Sequence, residues 1–357
     1  MIAVTDYKRY VFECIGIVIT LIFCIIIFNY WQDSADIFSN EKIYRSEAIA
    51  SCSGESLIVS GNYNERLFIK SVLKYGINDY DVLVFGSSRA MFIGEKEMPV
   101  KLHLRNLAVS GGSLYDDIAI WHAYVENEKK TPQMVVIGVD PWIFNHNNGE
   151  TRWKETLFDE YAAAMKNWGL MQQEKRNFDI YKSLLSISYT RESIKKLFTD
   201  MQPLAVLENQ ESVTDGKQIM YADGSHEYSK SDEYGTGSEE KAKKYIGGKV
   251  YQLEEYDVLD DKLKNDFSVF IKNIQDRGIK VVFFLPPYHP IVYEYLSREA
   301  KYRKVLEAEQ WLKDYARENG IVVVGSYDPK AIGLDGDAFI DGMHMKRHHN
   351  PVRFTIK

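Results

Sequence analysis

Residues Val82–Ala90 read VLVFGSSRA: four apolar residues, a glycine, two serines, an arginine and an alanine. A continuous apolar run of this kind suits a strand buried on both faces, as in a parallel sheet, and not the alternation of a half-exposed strand. Four further runs of the same character follow at wide intervals: Leu104–Val109 (LRNLAV), Met134–Val139 (MVVIGV), Ile279–Leu285 (IKVVFFL) and Ile321–Val324 (IVVV). Helical patterns separate them. In Leu114–Asn127, Leu114, Ile118, Trp121 and Val125 fall on one stripe. Asp266–Arg277 ends before Gly278 and Ala300–Asn319 before Gly320, glycines placed to stop a helix. Strands alternating with helices predict an α/β fold with a three-layer doubly wound parallel sheet.

Between the third and fourth runs lies a stretch far longer than a crossover needs. Glu150–Leu204 is rich in aromatic and charged residues and looks helical in pieces. Asp215–Lys249 is dense in Gly, Ser, Tyr and charge and reads as loop. An insertion over about residues 150–260, forming a lid or cap, is therefore expected within a domain spanning 81–357. No internal repeat is evident.

Working toward the N-terminus, Val11–Phe28 reads VFECIGIVITLIFCIIIF, 18 residues with one charge, Glu13. Extended to Tyr10–Trp31, a helix here rises roughly 33 Å, enough to cross a hydrocarbon core of about 30 Å. Tyr30 and Trp31 suit a membrane interface. Lys8 and Arg9 precede the run, while Asp33, Asp36 and Glu41 follow it, which predicts a cytoplasmic N-terminus and a body outside. The length of the run and the absence of a small-residue cleavage site argue for an uncleaved anchor over residues 1–32 and against a signal peptide. Residues 33–80 are expected to be a membrane-proximal linker with a first helix.

Composition excludes several classes. The chain has 357 residues, 13% of them aromatic, ample apolar area to offset chain entropy, so it is not a disordered protein. Three cysteines, two of them inside the apolar run, cannot staple a disulfide framework. The charges of residues 1–31 cancel, so the body carries the whole net charge of −7 and exerts no overall pull toward nucleic acid.

Three short segments stand at strand ends, where ligands bind in open α/β sheets. Gly86-Ser87-Ser88 follows the first run; a helix starting there would place a serine among free N–H groups able to stabilise an oxyanion. Ser110-Gly111-Gly112-Ser113 follows the second; its glycines allow close backbone approach, and Ser113 is equally suited to cap the next helix. Asp341-Gly342-Met343-His344 lies near the C-terminus, with the spacing of one helical turn, so the carboxylate can hold the imidazole in the tautomer a general base needs. His344, His348 and His349 also have the spacing of metal ligands, but no Cys or Glu cluster accompanies them, and no metal or cofactor is expected.

In this order, on an α/β pattern, the segments resemble the SGNH (GDSL-like) hydrolase superfamily over roughly residues 80–145 and 275–350. The resemblance implies Ser88 as nucleophile, with Gly-Ser-Ser in place of Gly-Asp-Ser, Gly111 with the Ser88 amide as oxyanion donors, and Asp341 and His344 as acid and base. The family's third block, Gly-x-Asn-Asp, is replaced by Gly138-Val139-Asp140-Pro141, so an oxyanion-donating Asn gives way to Asp140. An ionised carboxylate accepts hydrogen bonds and cannot donate. Either Asp140 is protonated, or it binds substrate hydroxyls, or the Ser88 and Gly111 amides suffice.

With its anchor, the chain looks like the membrane-anchored, extracytoplasmic subset that includes the D-alanine transfer protein of lipoteichoic acid synthesis and the alginate O-acetylation proteins. That likeness implies an O-acyltransferase acting on a cell-surface polysaccharide or teichoic-acid-like polymer beside a membrane-bound O-acyltransferase. An anchored esterase and a non-catalytic scaffold are the alternatives. Arg89, Asp140, Trp142, Tyr288 and His289 are further expected to contact substrate, the last two as aromatics on the loop after the fourth run.

Overall fold

The computed structural model describes residues 2–349 apart from 60–62, 99–101, 172–173, 177–178, 199–203 and 208–215. Parts of the 150–260 insertion thus lie outside the described residues. The strands are β1 (Leu57–Val59), β2 (Val82–Phe85), β3 (Leu104–Asn106), β4 (Met134–Gly138), β5 (Leu204–Val206), β6 (Gln218–Met220), β7 (His226–Glu227), β8 (Lys280–Leu285) and β9 (Val322–Gly325). The five apolar runs became the five strands of one all-parallel sheet, in the order β3-β2-β4-β8-β9. Val84 lies opposite Val136, Val136 opposite Val282, and Val282 opposite Val322. The residues of β2 and β4 are almost wholly shielded from water, which is why their sequences do not alternate.

The helices are α1 (Ile2–Gln32), α2 (Arg45–Cys52), α3 (Glu65–Tyr75), α4 (Leu114–Asn127), α5 (Trp153–Thr156), α6 (Phe158–Asn167), α7 (Ile187–Phe198), α8 (Lys230–Glu233), α9 (Ser238–Ile246), α10 (Asp261–Gln275), α11 (Pro290–Arg298) and α12 (Arg303–Glu318). Leu83, Phe85, Val135, Ile137, Val281 and Phe283 point to one face of the sheet, where α4, α6, α10, α11 and α12 cover them. Each such buried Val, Leu or Phe contributes roughly 1.5–3 kcal/mol. Val82, Val84, Leu104, Met134, Val136, Val282 and Phe284 point to the other face. Met91, Phe92, Ile93, Ala338, Phe339 and Met345, from irregular segments and short 3-10 turns, cover that face. Among the described residues the expected helical layer is thus present on one face only.

The connection from β2 to β3 runs over the irregular face and the later ones over the helical face, so the winding reverses between β2 and β4. In such sheets a crevice opens at the carboxyl ends of the strands where the winding reverses. Gly86, just past β2, has φ +126° and a Cβ there would lie 2.5 Å from the Gly138 carbonyl oxygen, so only glycine lets the two strand ends meet.

The insertion is not one cap. Trp153, Tyr161, Ala164 and Met165 of α5 and α6 belong to the main core, packed beside α4. A second, antiparallel sheet of order β5-β1-β6-β7 joins the insertion to the segment before the main domain. Residues 33–80, expected as a linker with a first helix, therefore carry one of the two inner strands of this sheet. They also share a small core formed by Tyr44, Ala48, Leu57, Leu67, Phe68, Val72, Leu204 and Met220.

At the N-terminus, Tyr7–Gln32 is a helix long and apolar enough to cross a membrane, with its apolar window unburied by the rest of the chain. It continues the span expected over Tyr10–Trp31.

Candidate active site

Ser88 is the third residue past β2. No α-helix starts there; instead the chain makes successive turns, Ala90 N donating to Ser87 O (2.9 Å) and Ile93 N to Ala90 O (3.1 Å). Met91, Phe92 and Ile93 are consecutive and all buried, which a helix with one buried stripe does not achieve. The Ser88 amide is consequently presented by a tight turn and not by a helix N-terminus.

Asp341–His344 forms a bend, not a helical turn. It is closed by Ile340 N donating to His344 O (2.9 Å) and by a bridge between Phe339 and Met345. Asp341 Oδ1 accepts the backbone N–H groups of Met343 (2.8 Å) and His344 (2.9 Å). Its Oδ2 lies 2.9 Å from His344 Nδ1, and His344 Nε2 lies 3.0 Å from Ser88 Oγ. A carboxylate beside Nδ1 fixes the proton on that nitrogen, leaving Nε2 to accept from the serine hydroxyl. Burial acts to raise the Asp341 pKa, but the bonds from the His344 ring and the two amides prevail and hold it well below the usual carboxylate range. The carboxylate is charged whenever the imidazole is called on to take a proton.

The third contributor is the loop after β3. Ser113 caps α4, its hydroxyl and amide meeting Asp116, which in turn is paired with buried Arg66 (2.7 Å). Ser110 donates its amide (2.5 Å) and hydroxyl (2.7 Å) to Glu65, while Arg152 Nη2 donates to its carbonyl (2.7 Å). Arg152 is itself held by Glu150 (2.5 Å). Between these anchors Gly111 adopts φ +61°, and a Cβ there would lie 2.2 Å from Tyr251 Oη and 2.5 Å from Arg152 Nη2. Among the described residues the amides of Ser88 and Gly111 donate to no protein group. Both residues face a cavity of about 620 Å³ that His344 also lines. The arrangement offers a serine, a general base with its orienting carboxylate, and two amides for developing negative charge.

The cavity walls come from all three parts of the chain. Met91, Met343 and Val59 supply apolar surface; Tyr63 and Glu65 come from the segment before the sheet; Gln218, His226, Tyr228 and Tyr251 come from the insertion. The Tyr228 ring meets the His344 ring edge-on at 5.8 Å. Burial pushes the Tyr63 and Tyr228 hydroxyls up, and it lowers His226 to about 4, so these three side chains are neutral and polar near pH 7. A more open hollow of about 630 Å³ adjoins the cavity, sharing Arg152 and Tyr251 with it. Glu65, Arg152 and the aromatic wall carry no motif; none was identified from the sequence.

Arg89, Asp140, Trp142, Tyr288 and His289 do not line the cavity. Arg89, 3% exposed, is an internal strut. It pairs with Asp140 (2.8 Å), donates to the carbonyls of Met343 (3.0 Å), Pro286 (2.6 Å) and Pro287 (2.7 Å), and lies over the Tyr288 ring at 4.0 Å. It thereby ties the serine turn to the loop after β8 and to the bend bearing His344. Burial pushes the Asp140 carboxyl up and Arg89 opposes it; with its oxygen committed to that guanidinium, Asp140 is not placed to meet a substrate hydroxyl. Trp142 is wholly buried and donates to Gly112 O (3.2 Å). His289 caps α11, its Nδ1 accepting from Ile291 N (3.2 Å), and packs on Phe339. The substrate contacts expected of these five are therefore corrected: each is shielded by the packing it supports. His348 turns away from His344 to meet Glu233 (2.8 Å).

A family model described as "Protein of unknown function (DUF1574)" matches residues 35–348, and the chain belongs to that family. Neither the curated proteins nor the solved structures include a significant match.

Proposed function

We propose that this DUF1574-family chain is a membrane-anchored, extracytoplasmic, SGNH-like O-acyltransferase that moves an acyl group onto a hydroxyl of a cell-surface polymer through an acyl-serine. One observation carries the reading. Ser88, His344 and Asp341, brought from opposite ends of the domain, form a continuous hydrogen-bonded relay at 3.0 and 2.9 Å inside a walled cavity.

In the first half-reaction His344 Nε2 takes the Ser88 proton as Oγ attacks the carbonyl carbon of an activated acyl donor. The Ser88 and Gly111 amides receive the oxyanion, and collapse expels the donor's leaving group, which takes the proton from His344. In the second, His344 removes a proton from an acceptor hydroxyl, whose oxygen attacks the acyl-serine; Ser88 leaves as the hydroxyl, reprotonated by His344. Charge balance at the site supports this without an Asn donor, because Arg89 neutralises Asp140. The neutral polar wall of Tyr63, Gln218, His226 and Tyr228 suits a polyol or sugar, and the adjoining hollow leaves room for the rest of a polymer. By resemblance, the acyl group would be supplied by a membrane-bound O-acyltransferase acting beside the anchor.

The test uses the full-length protein, p-nitrophenyl acetate as donor and a soluble polyol or oligosaccharide as acceptor. Acetylated acceptor formed in preference to free acetate, and lost in Ser88→Ala, is expected. Turnover dependent on Ser88 but giving only acetate would assign an esterase. No turnover, together with polymer acylation that survives Ser88→Ala in cells, would leave only a scaffold.

A further inference from the structure

The insertion also reaches the far end of α1. Asn29, three residues before the end of the apolar span, is fully buried and donates through Nδ2 to Leu184 O (2.8 Å) and Thr190 Oγ1 (2.8 Å). Past the span, Tyr189 donates to Asp33 Oδ1 (2.9 Å) and Lys196 to the Asp33 carbonyl (3.0 Å), with Asp36 beside it (3.3 Å). Tyr189, Ser193 and Lys196 thus form the stripe of α7 that packs on the α1 exit. Ile187, Ile194 and Phe198 lie on the opposite side, separated by seven and four residues, and Leu197 stands next to them. Ile187 and Phe198 are each 83% exposed.

An element touching Asn29 cannot stand clear of a bilayer that α1 crosses, because Asn29 lies within the span. Aromatic side chains continue the same level: Tyr30 meets Phe38 at 5.2 Å, Phe38 meets Tyr181 at 5.6 Å, and Trp31 is 78% exposed beside them. Such rings favour the headgroup layer. Arg191 and Lys195 border one side of the apolar face of α7, Lys195 also pairing with Glu192 (2.7 Å), and exposed cations beside an apolar face suit a helix lying in an interface.

We infer that Tyr181–Phe198 is a second membrane contact: α7 lies in the interfacial layer of the leaflet at the Gln32 end of α1, with Ile187, Ile194, Leu197 and Phe198 in the acyl region. The occupant of this face is lipid, because the face is continuous with the lipid-exposed surface of α1 and with its aromatic girdle. The body is then seated on the bilayer at two points, and β5, which follows α7 in the chain and joins the small sheet, links that seat to the cavity wall.

The experiment reconstitutes the full-length chain in phosphatidylcholine–phosphatidylglycerol vesicles carrying a trace of phospholipid with a diazirine in its acyl chain. After photolysis, adducts are mapped by peptide mass spectrometry. Adducts are expected on 7–32 and on 187–198, with none on the exposed side of α12. Ile187→Gln/Phe198→Gln is expected to lose the second set and keep the first. Adducts confined to 7–32 in the unaltered protein would overturn the inference, as would loss of the 187–198 adducts on raising the protein-to-lipid ratio, which would place a second copy on that face.

Discussion

Asp341→Asn isolates the role of the carboxylate from that of the fold. Asp341 Oδ1 holds the bend by accepting two backbone N–H groups, and an asparagine carbonyl can keep both. Oδ2 is replaced by an amide nitrogen, which donates and cannot accept from His344 Nδ1. The imidazole then carries its proton on Nε2 and presents an N–H to Ser88 Oγ across the 3.0 Å contact, so the base is lost while the geometry stays. Trapping the wrong tautomer in this way costs about 10⁴ in rate in serine hydrolases, or about 5.5 kcal/mol at 1.36 kcal/mol per tenfold. The assay is the rate at which a fluorophosphonate modifies Ser88 in the full-length protein, with thermal unfolding as the control for folding. A variant that unfolds like the unaltered protein yet reacts within about tenfold of its rate would show that the carboxylate does not set the tautomer of His344.

Three further outcomes are expected. Gly111→Ala forces a left-handed conformation costing roughly 1–2 kcal/mol and sets a Cβ against Tyr251 Oη and Arg152 Nη2; displacing the amide should cost about 10²–10³ in acylation rate. Adding Tyr251→Phe, which removes the nearest atom, should restore part of that loss, and no restoration would count against the clash. Arg89→Met leaves Asp140 buried and unpaired and should cost about 3–5 kcal/mol in urea unfolding; a loss below about 1 kcal/mol would show that the strut is dispensable. His226 titrates near 4 in the fold and about 6.5 when unfolded. Being neutral in the fold, it contributes stability fully present above pH 6.5 and lost as the pH falls toward 4, about 3 kcal/mol in all. His226→Phe should flatten that part of the pH–stability curve, and an unchanged slope would exclude His226 as its source.

The parallel sheet was legible because buried strands must be apolar on both sides: Val82–Phe85 is a strand in sequence and in space. The Ser88, Gly111, Asp341 and His344 segments were legible through the order of their short motifs along the chain, and the fold brings these segments together. Arg89 and Asp140 were misread because a charge next to a nucleophile has the same letters whether it faces ligand or core; only the three carbonyls around the guanidinium decide. The second sheet was invisible. Its strands are two or three residues long, too short for a period, and β1 pairs with segments well over a hundred residues away. Glu65 and Arg152 act through Ser110 across distant parts of the chain, which no local spacing records.

If Ser88 is an activated nucleophile, intact-protein mass spectrometry after fluorophosphonate treatment will reveal it. A single adduct, mapped to Ser88, absent from Ser88→Ala and strongly slowed in His344→Ala, is the result predicted here. A folded protein that takes up no adduct, or takes it up at another residue with Ser88 untouched, would contradict it.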